Sequence, residues 1–253
     1  MPTTPDPHSR TDRAAAFTRG AGVYARVRPS YPSEAVGWMV PPGARVLDLA
    51  AGTGLLTRRL VEAGHDVVAV DPAPQMLAEL STALPDVAVQ VGSAESIPLP
   101  DASVDAVVVG QAWHWFDPAL ASAEIARVLR PGGTLGICWN DRDERIEWVR
   151  RFGRILHDGD GLHPHDAPQH VEPELGPAFE VLEQASFRWS HHLPTSALRD
   201  LAASRSYVLT LPDDEREEHL QQVDDLVVTH PDLAGTTEVA MPYVTVACRA
   251  RRR

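Results

Sequence analysis

Two glycines and two acids carry the first chemical signal in the chain. Gly52 and Gly54 lie in the turn AAGTG, which follows an apolar run, Val46 to Leu49, that contains Asp48. Behind the turn Leu56, Leu60 and Ala63 recur at helical spacing. Asp71 closes a second apolar run, HDVVAVD. A strand, a glycine turn and a helix in that order hold a nucleotide-like ligand, with backbone N–H groups aimed at it. A P-loop needs a lysine after its second glycine, and none stands here. Thr57 occupies the position where a dinucleotide fingerprint wants a third Gly or Ala for close helix–strand packing. Asp48 would repel a pyrophosphate. It suits a ligand that bears an ammonium and a sulfonium, and it can equally accept the turn's own N–H groups. The Asp71 carboxylate can accept two hydrogen bonds from a ribose diol, or cap the helix opened by DPAP.

A second group is GQAWHWFD, residues 110–117. His114 has an ordinary pKa suited to proton transfer near neutral pH. Trp113, Trp115 and Phe116 can wall off water and stack on a ligand, or simply pack the loop onto the sheet. Tyr24, Arg28 and Tyr31 are further candidates nearer the N-terminus. Arg28 offers a planar, two-pronged donor for a carboxylate, or pairs with a surface acid. Asn140 and Arg142 end the fifth apolar run, where they contact substrate or cap the helix that follows. His163 and His165 with Asp158, Asp160 and Asp166 supply ligand atoms in a Gly/Pro-rich loop, but their spacing matches no closed zinc site, and no metal is expected.

These residues need elements to position them. The apolar runs 46–49, 65–71, 86–92, 104–110 and 134–139 alternate with helical patterns, which implies a parallel sheet covered on both faces. Asp117-Pro118 starts one helix, and RPGG stops it. Beyond Asp141 the alternation weakens: a helix at 144–156, a loop at 157–177, a strand near Phe187, a helix with an acidic start carrying Leu220, Val223 and Val227, and a strand at 243–250. The expected organisation is a disordered tail, 1–13, then a single domain, 14–253, with its core at 44–140 and an elaboration at 141–240.

The 253-residue chain has 43% apolar and 23% charged residues, an ordinary globular balance. A net charge of −12 argues against nucleic acid as partner, since phosphate binding needs a basic surface. Its apolar runs are too short to span a bilayer, and the first residues lack a signal-type apolar stretch, so a cytoplasmic protein is expected. Two cysteines, Cys138 and Cys248, fall within strand patterns and read as buried thiols.

VLDLAAGTG, VVAVDPAPQML, VGSAESIPLPDASVDAVVVGQAWHWFD and EIARVLRPGGTLGICWN, taken in order, resemble the class I S-adenosylmethionine-dependent methyltransferases, of the type 11 domain. AAAFTRGAGVYARVRPSYP, WNDRDERIEWV and PYVTVACRARR resemble a narrower branch related to trans-aconitate-type small-molecule methyltransferases. The resemblance implies an α/β, Rossmann-like, doubly wound sheet of seven strands, mostly parallel with the last antiparallel, with an N-terminal lid segment and a helical insertion. It implies S-adenosylmethionine as cofactor and a small molecule as methyl acceptor. Ala50, Gly52 and Thr53 would wrap the methionine part, Asp48 and Gly54 would also belong to the cofactor site, and Asp71 would hold the ribose. Pro72 and Met76 would lie near the adenine edge, Ser93, Ala94 and Glu95 would face the adenine, and Gln111 would lie under the methionine. Tyr24 would help cover the cofactor. Where many relatives carry Asp, Ser93 is a weaker acceptor for the adenine amino group. The rival readings are an NAD-dependent oxidoreductase and a cofactor-binding protein without transfer activity.

Overall fold

A computed structural model describes residues 27–161, 173–180 and 182–253. Seven strands form one sheet in the order β3-β2-β1-β4-β5-β7-β6. They are β1 (Arg45–Leu49), β2 (Asp66–Asp71), β3 (Ala88–Val91), β4 (Val104–Gly110), β5 (Leu129–Arg142), β6 (Glu183–Pro194) and β7 (Glu238–Arg251). The first five run parallel, with Asp48 in register with Ala69 of β2 on one side and Val108 of β4 on the other. Along β7 the direction reverses. Arg252 exchanges backbone bonds with Gly132 and Gly133, while Asp143 at the far end of β5 donates to Pro242. On the other edge Glu180 donates to Arg251 and Thr195 to Thr237, so β7 is antiparallel to both neighbours. The seven-stranded, mostly parallel sheet with an antiparallel last strand is therefore present.

The sheet unit comprises residues 29–141, 170–189 and 244–253. Its helices are α1 (Ser33–Met39), α2 (Leu55–Glu62), α3 (Pro74–Ala83) and α4 (Pro118–Val128). Val46, Leu47 and Leu49 of β1 are fully buried because helices cover both faces of the central strands. Asp117 starts α4 as its spacing foretold: its Oδ1 accepts from the N–H groups of Ala119 and Leu120, both at 3.0 Å. Cys138 and Cys248 are buried free thiols, and burial pushes the Cys138 thiol up.

Among the described residues, the second unit comprises Val27, Arg28, residues 142–161 and residues 190–243. It is built on α5 (Glu147–His157), α6 (Ala197–Ala203), α7 (Ser206–Thr210) and α8 (Asp213–Thr229). The acidic first turn of α8, Asp213 to Glu215, complements the helix dipole as expected. The short helices α1, α6 and α7 were not anticipated, being at most two turns long. No helix among the described residues is long and apolar enough to cross a membrane. The expected tail, 1–13, lies outside the described residues, as do His163, His165 and Asp166 of the histidine-rich loop.

Candidate functional site

Strand order reverses between β1 and β4, so the crevice past their carboxyl ends is where an open α/β sheet binds its ligand. The backbone there is strained on both sides. Ala50, just after β1, has φ +59°, and Gln111, just after β4, has the same value. Non-glycine residues held in the left-handed region cost free energy and cluster at functional sites. Gly52 at +56° and Gly54 at +86° complete the turn at ordinary cost. A Cβ on Gly54 would stand 2.8 Å from Leu80 Cγ, whereas one on Gly52 would point into open space.

Asp71 braces this turn. Its Oδ2 accepts the Gly52 N–H and its Oδ1 accepts the Ala73 N–H, each at 2.8 Å. Asp71 is not the cap of α3, whose N-cap is Ala73 with no side-chain cap bond, and each Asp71 oxygen retains a second lone pair for a ligand. Thr53 Oγ1 is buried with no hydrogen-bond partner among the described residues. A hydroxyl left without a partner inside a turn of this kind is a group prepared for something else to bond.

Asp48 lies behind the turn, 1% exposed, and accepts from Thr57 Oγ1 at 2.6 Å. Burial pushes its pKa up to about 7; the Thr57 bond opposes that, and the nearby Asp71 charge adds to it. Thr57 is therefore the partner that lets a carboxylate sit inside a strand. Its signal in the sequence was a hydroxyl where a glycine was sought, nine residues after an acid in an apolar run. Burial likewise raises Asp71, against its bonds to Ala73 and Gly52.

After β4 the loop is locked from below. Gln111 donates its backbone N–H to Cys138 and its side-chain amide to the Asn140 carbonyl. Trp113 is buried in the core, edge-on to Phe116 with centroids 5.7 Å apart. His114 is exposed, its ring 5.1 Å from that of the half-buried Trp115. The aromatics thus divide: Trp113 is buried, the half-buried Trp115 and Phe116 pack against the same core, and His114 is exposed. Tyr31 is buried, its hydroxyl so close to Gly110 that a Cβ there would lie 2.6 Å from it. Asn140 has both amide atoms engaged, donating to the Ser30 carbonyl at 2.8 Å and accepting from Thr245 Oγ1 at 2.6 Å. It caps no helix. On the β3 side Ala94 and Met76 are buried and Pro72 is exposed. Ser93 bridges to Ser96, and Glu95 Oε1 accepts the Asp117 N–H at 3.0 Å.

Arg28 and Arg142 belong to the second unit. Arg28 is held by Ser204, and Arg142 Nη2 lies 3.3 Å from His157 Nε2. Tyr24 lies outside the described residues. No group of three or more potential metal ligands occurs among the described residues.

A glycine turn at the central strand, an acid closing the next strand and a partly open loop after the fourth define a nucleoside-cofactor enzyme of the Rossmann-like class. Residues 47–137 match the family described as methyltransferase domain. An uncharacterized methyltransferase of Mycobacterium tuberculosis is 52% identical over 244 residues, spanning 96% of this chain and 98% of its own. An uncharacterized methyltransferase-like protein of Schizosaccharomyces pombe is 36% identical over 243 residues, 91% of this chain and 93% of that one. Among solved structures, a putative type II methyltransferase from Anaeromyxobacter dehalogenans superposes with a TM-score of 0.61 at 26% identity, covering 89% of this chain and 97% of that one. The chain belongs to the S-adenosylmethionine-dependent methyltransferase family. Its cofactor is S-adenosylmethionine and its reaction is methyl transfer, and the oxidoreductase reading falls with that assignment.

Proposed function

We propose that the protein is a cytoplasmic enzyme that methylates a small molecule, with the cofactor held against the turn after β1. The observation that carries the site assignment is the Thr53 hydroxyl, buried without a partner among the described residues, in a turn braced by Asp71. The chain's groups fit the cofactor. Ala50, Gly52, Thr53 and Gly54 present polar backbone and one hydroxyl to the methionyl part, with Gln111 on its other side. Asp71 keeps lone pairs for the ribose diol, and Asp48 sets an acid behind a cofactor that carries positive charge. Pro72, Met76, Ser93, Ala94 and Glu95 form the adenine side. The net charge of −12 supports a small molecule over nucleic acid as acceptor.

When bound, S-adenosylmethionine supplies a methyl group on a sulfonium, which needs little covalent help from the protein. The residues have to orient the acceptor in line, exclude water and, where the accepting atom starts protonated, remove its proton. His114 is the group we assign to that proton, because its imidazole is exposed in the loop after β4. Trp115 lies tilted beside it, and Trp113 fixes the loop from the core. Tyr31 and Asn140 shape the floor, and Arg28 and Arg142 bind an anionic group of the acceptor.

The test is parallel calorimetric titration with S-adenosylmethionine and S-adenosylhomocysteine, and a labelled-methyl assay over an acceptor panel, for wild type and His114→Ala. The variant keeps cofactor affinity within about two-fold, while turnover drops by about 10²- to 10⁴-fold, the usual worth of a positioned acid or base. Equal turnover in the two proteins removes His114 from the chemistry.

A further inference from the structure

Residues 92–103 join β3 to β4 and carry Ser93, Ala94 and Glu95. Their sequence, GSAESIPLPDAS, has two prolines and no strand pattern, so much of its backbone must find partners elsewhere. Helix α4 supplies them. The Arg127 guanidinium donates to the Ile97 and Leu99 carbonyls and to Asp101 Oδ1, each at 2.8 Å. Its remaining N–H groups, Nε and one on Nη2, form a fork on the Glu124 carboxylate, both at 2.8 Å. All five donors of the side chain are thereby used. Glu124 Oε2 returns to the segment and accepts the Ile97 N–H at 2.9 Å. Its bonds to Arg127 hold the Glu124 carboxyl below the usual carboxylate range.

The same helix holds both ends of the segment. The Arg127 carbonyl accepts the Ala102 N–H at 2.9 Å, and Ala102 stands in the left-handed region at φ +48°. A strained residue of that kind persists where its surroundings over-determine it. At the other end Glu95 Oε1 takes the N–H of Asp117, the residue that caps the start of α4. Gly92 lets the segment fold back on itself: a Cβ there would stand 2.5 Å from Pro98 Cδ. Surface ion pairs are ordinarily worth little, but a two-pronged pair whose members also bond backbone fixes geometry.

We propose that Arg127 is a positioning residue for recognition of the cofactor's base: by fixing residues 95–102 from α4 it sets where Ser93, Ala94 and Glu95 stand, and through them the preference for adenine. This role rests on the reading of residues 93–95 as the adenine side, and adds the residue that shapes that side without touching the ligand. Recognition by hydrogen bonds is sensitive to such placement, because a polar group moved by about 1 Å is left unpaired when the ligand buries it. Lysine cannot stand in, since three donors on one point do not reproduce five in a planar fork.

The test is calorimetric titration of the full chain with S-adenosylhomocysteine and with S-inosylhomocysteine, which carries an oxo group where adenine has its amino group. Wild type prefers the adenine ligand by at least about ten-fold, the worth of one or two hydrogen bonds. In Arg127→Lys the preference narrows to within about three-fold, with most of the loss in the adenine ligand. Glu124→Gln, which keeps the size of the side chain without the charged fork, narrows it as well. Thermal melts accompany both variants. A merely structural role lowers the melting temperature and leaves the ratio of the two affinities where it was, and that result overturns the proposal. An Arg127→Lys protein too unstable to titrate passes the decision to Glu124→Gln. A wild type that binds both ligands equally, or neither, takes residues 93–95 out of the base site and the proposal with them. Discrimination in wild type that both variants retain overturns the role of Arg127 alone.

Discussion

At the scale of single residues, Asp71 couples two elements with one carboxylate, since the Gly52 and Ala73 N–H groups each take one oxygen. Asp71→Ala leaves the Gly52 N–H unpaired and deletes a charged acceptor worth about 1.5–3 kcal/mol. Cofactor affinity measured by calorimetry then drops roughly ten- to a hundred-fold. An unchanged affinity takes Asp71 out of the cofactor site. This residue was legible because an acid at the end of an apolar run has few structural excuses. Thr57 was not, because its value is relational: it matters only once helical packing carries it back against Asp48.

At the scale of elements, the two glycines of the turn do different work, and alanine separates them. Gly54 is the N-terminal boundary residue of α2 in the left-handed region, and its added methyl would strike Leu80, which is completely buried on α3 and has no room to retreat. Gly54→Ala destabilises the fold by about 3 kcal/mol, from left-handed strain and overpacking together. Gly52→Ala meets open space and bears only the strain, about 1–2 kcal/mol. In the proposed site its methyl points into the open volume that the cofactor would fill, so cofactor affinity suffers more than stability does. Denaturant melts and cofactor titrations on both variants check the contrast. The long parallel strands were readable because continuous apolar runs have one economical use. The strand at 134–139 proved to begin at Leu129, since antiparallel pairing with β7 extends it through Gly132 and Gly133. Helices α1, α6 and α7 are too short for a period to show, and they exist through tertiary contact alone.

At the scale of the whole molecule, a buried acid makes stability depend on pH. Asp48 holds its proton to about pH 7 when folded, against an ordinary value of 3.8. Between those values the folded state keeps a proton that the unfolded chain has released, so stability falls as pH rises from about 4 to 7 and levels off above. The full span is about 4 kcal/mol, and the raised Asp71 acts in the same sense. Asp48→Asn, which has no charge to bury, loses its share of that slope and is the more stable protein at pH 8. Its gain is reduced by whatever the Thr57 bond gives up. Urea melts at pH 5 and pH 8 measure it, and parallel curves for the two proteins at both values would mean that Asp48 is ionised within the fold.

The place of β7 has a consequence in time. It is inserted between β5 and β6, yet it follows both along the chain. As the polypeptide leaves the ribosome, β2 to β5 each find a neighbour already made, whereas β6 emerges with its partner still unsynthesised. Two sheet edges, those of β5 and β6, therefore wait open for one late strand, and unpaired edges are where chains stick to one another. The vulnerable moment in this protein's life is the interval between those two strands, when most of its chemistry is already in place and its sheet is not.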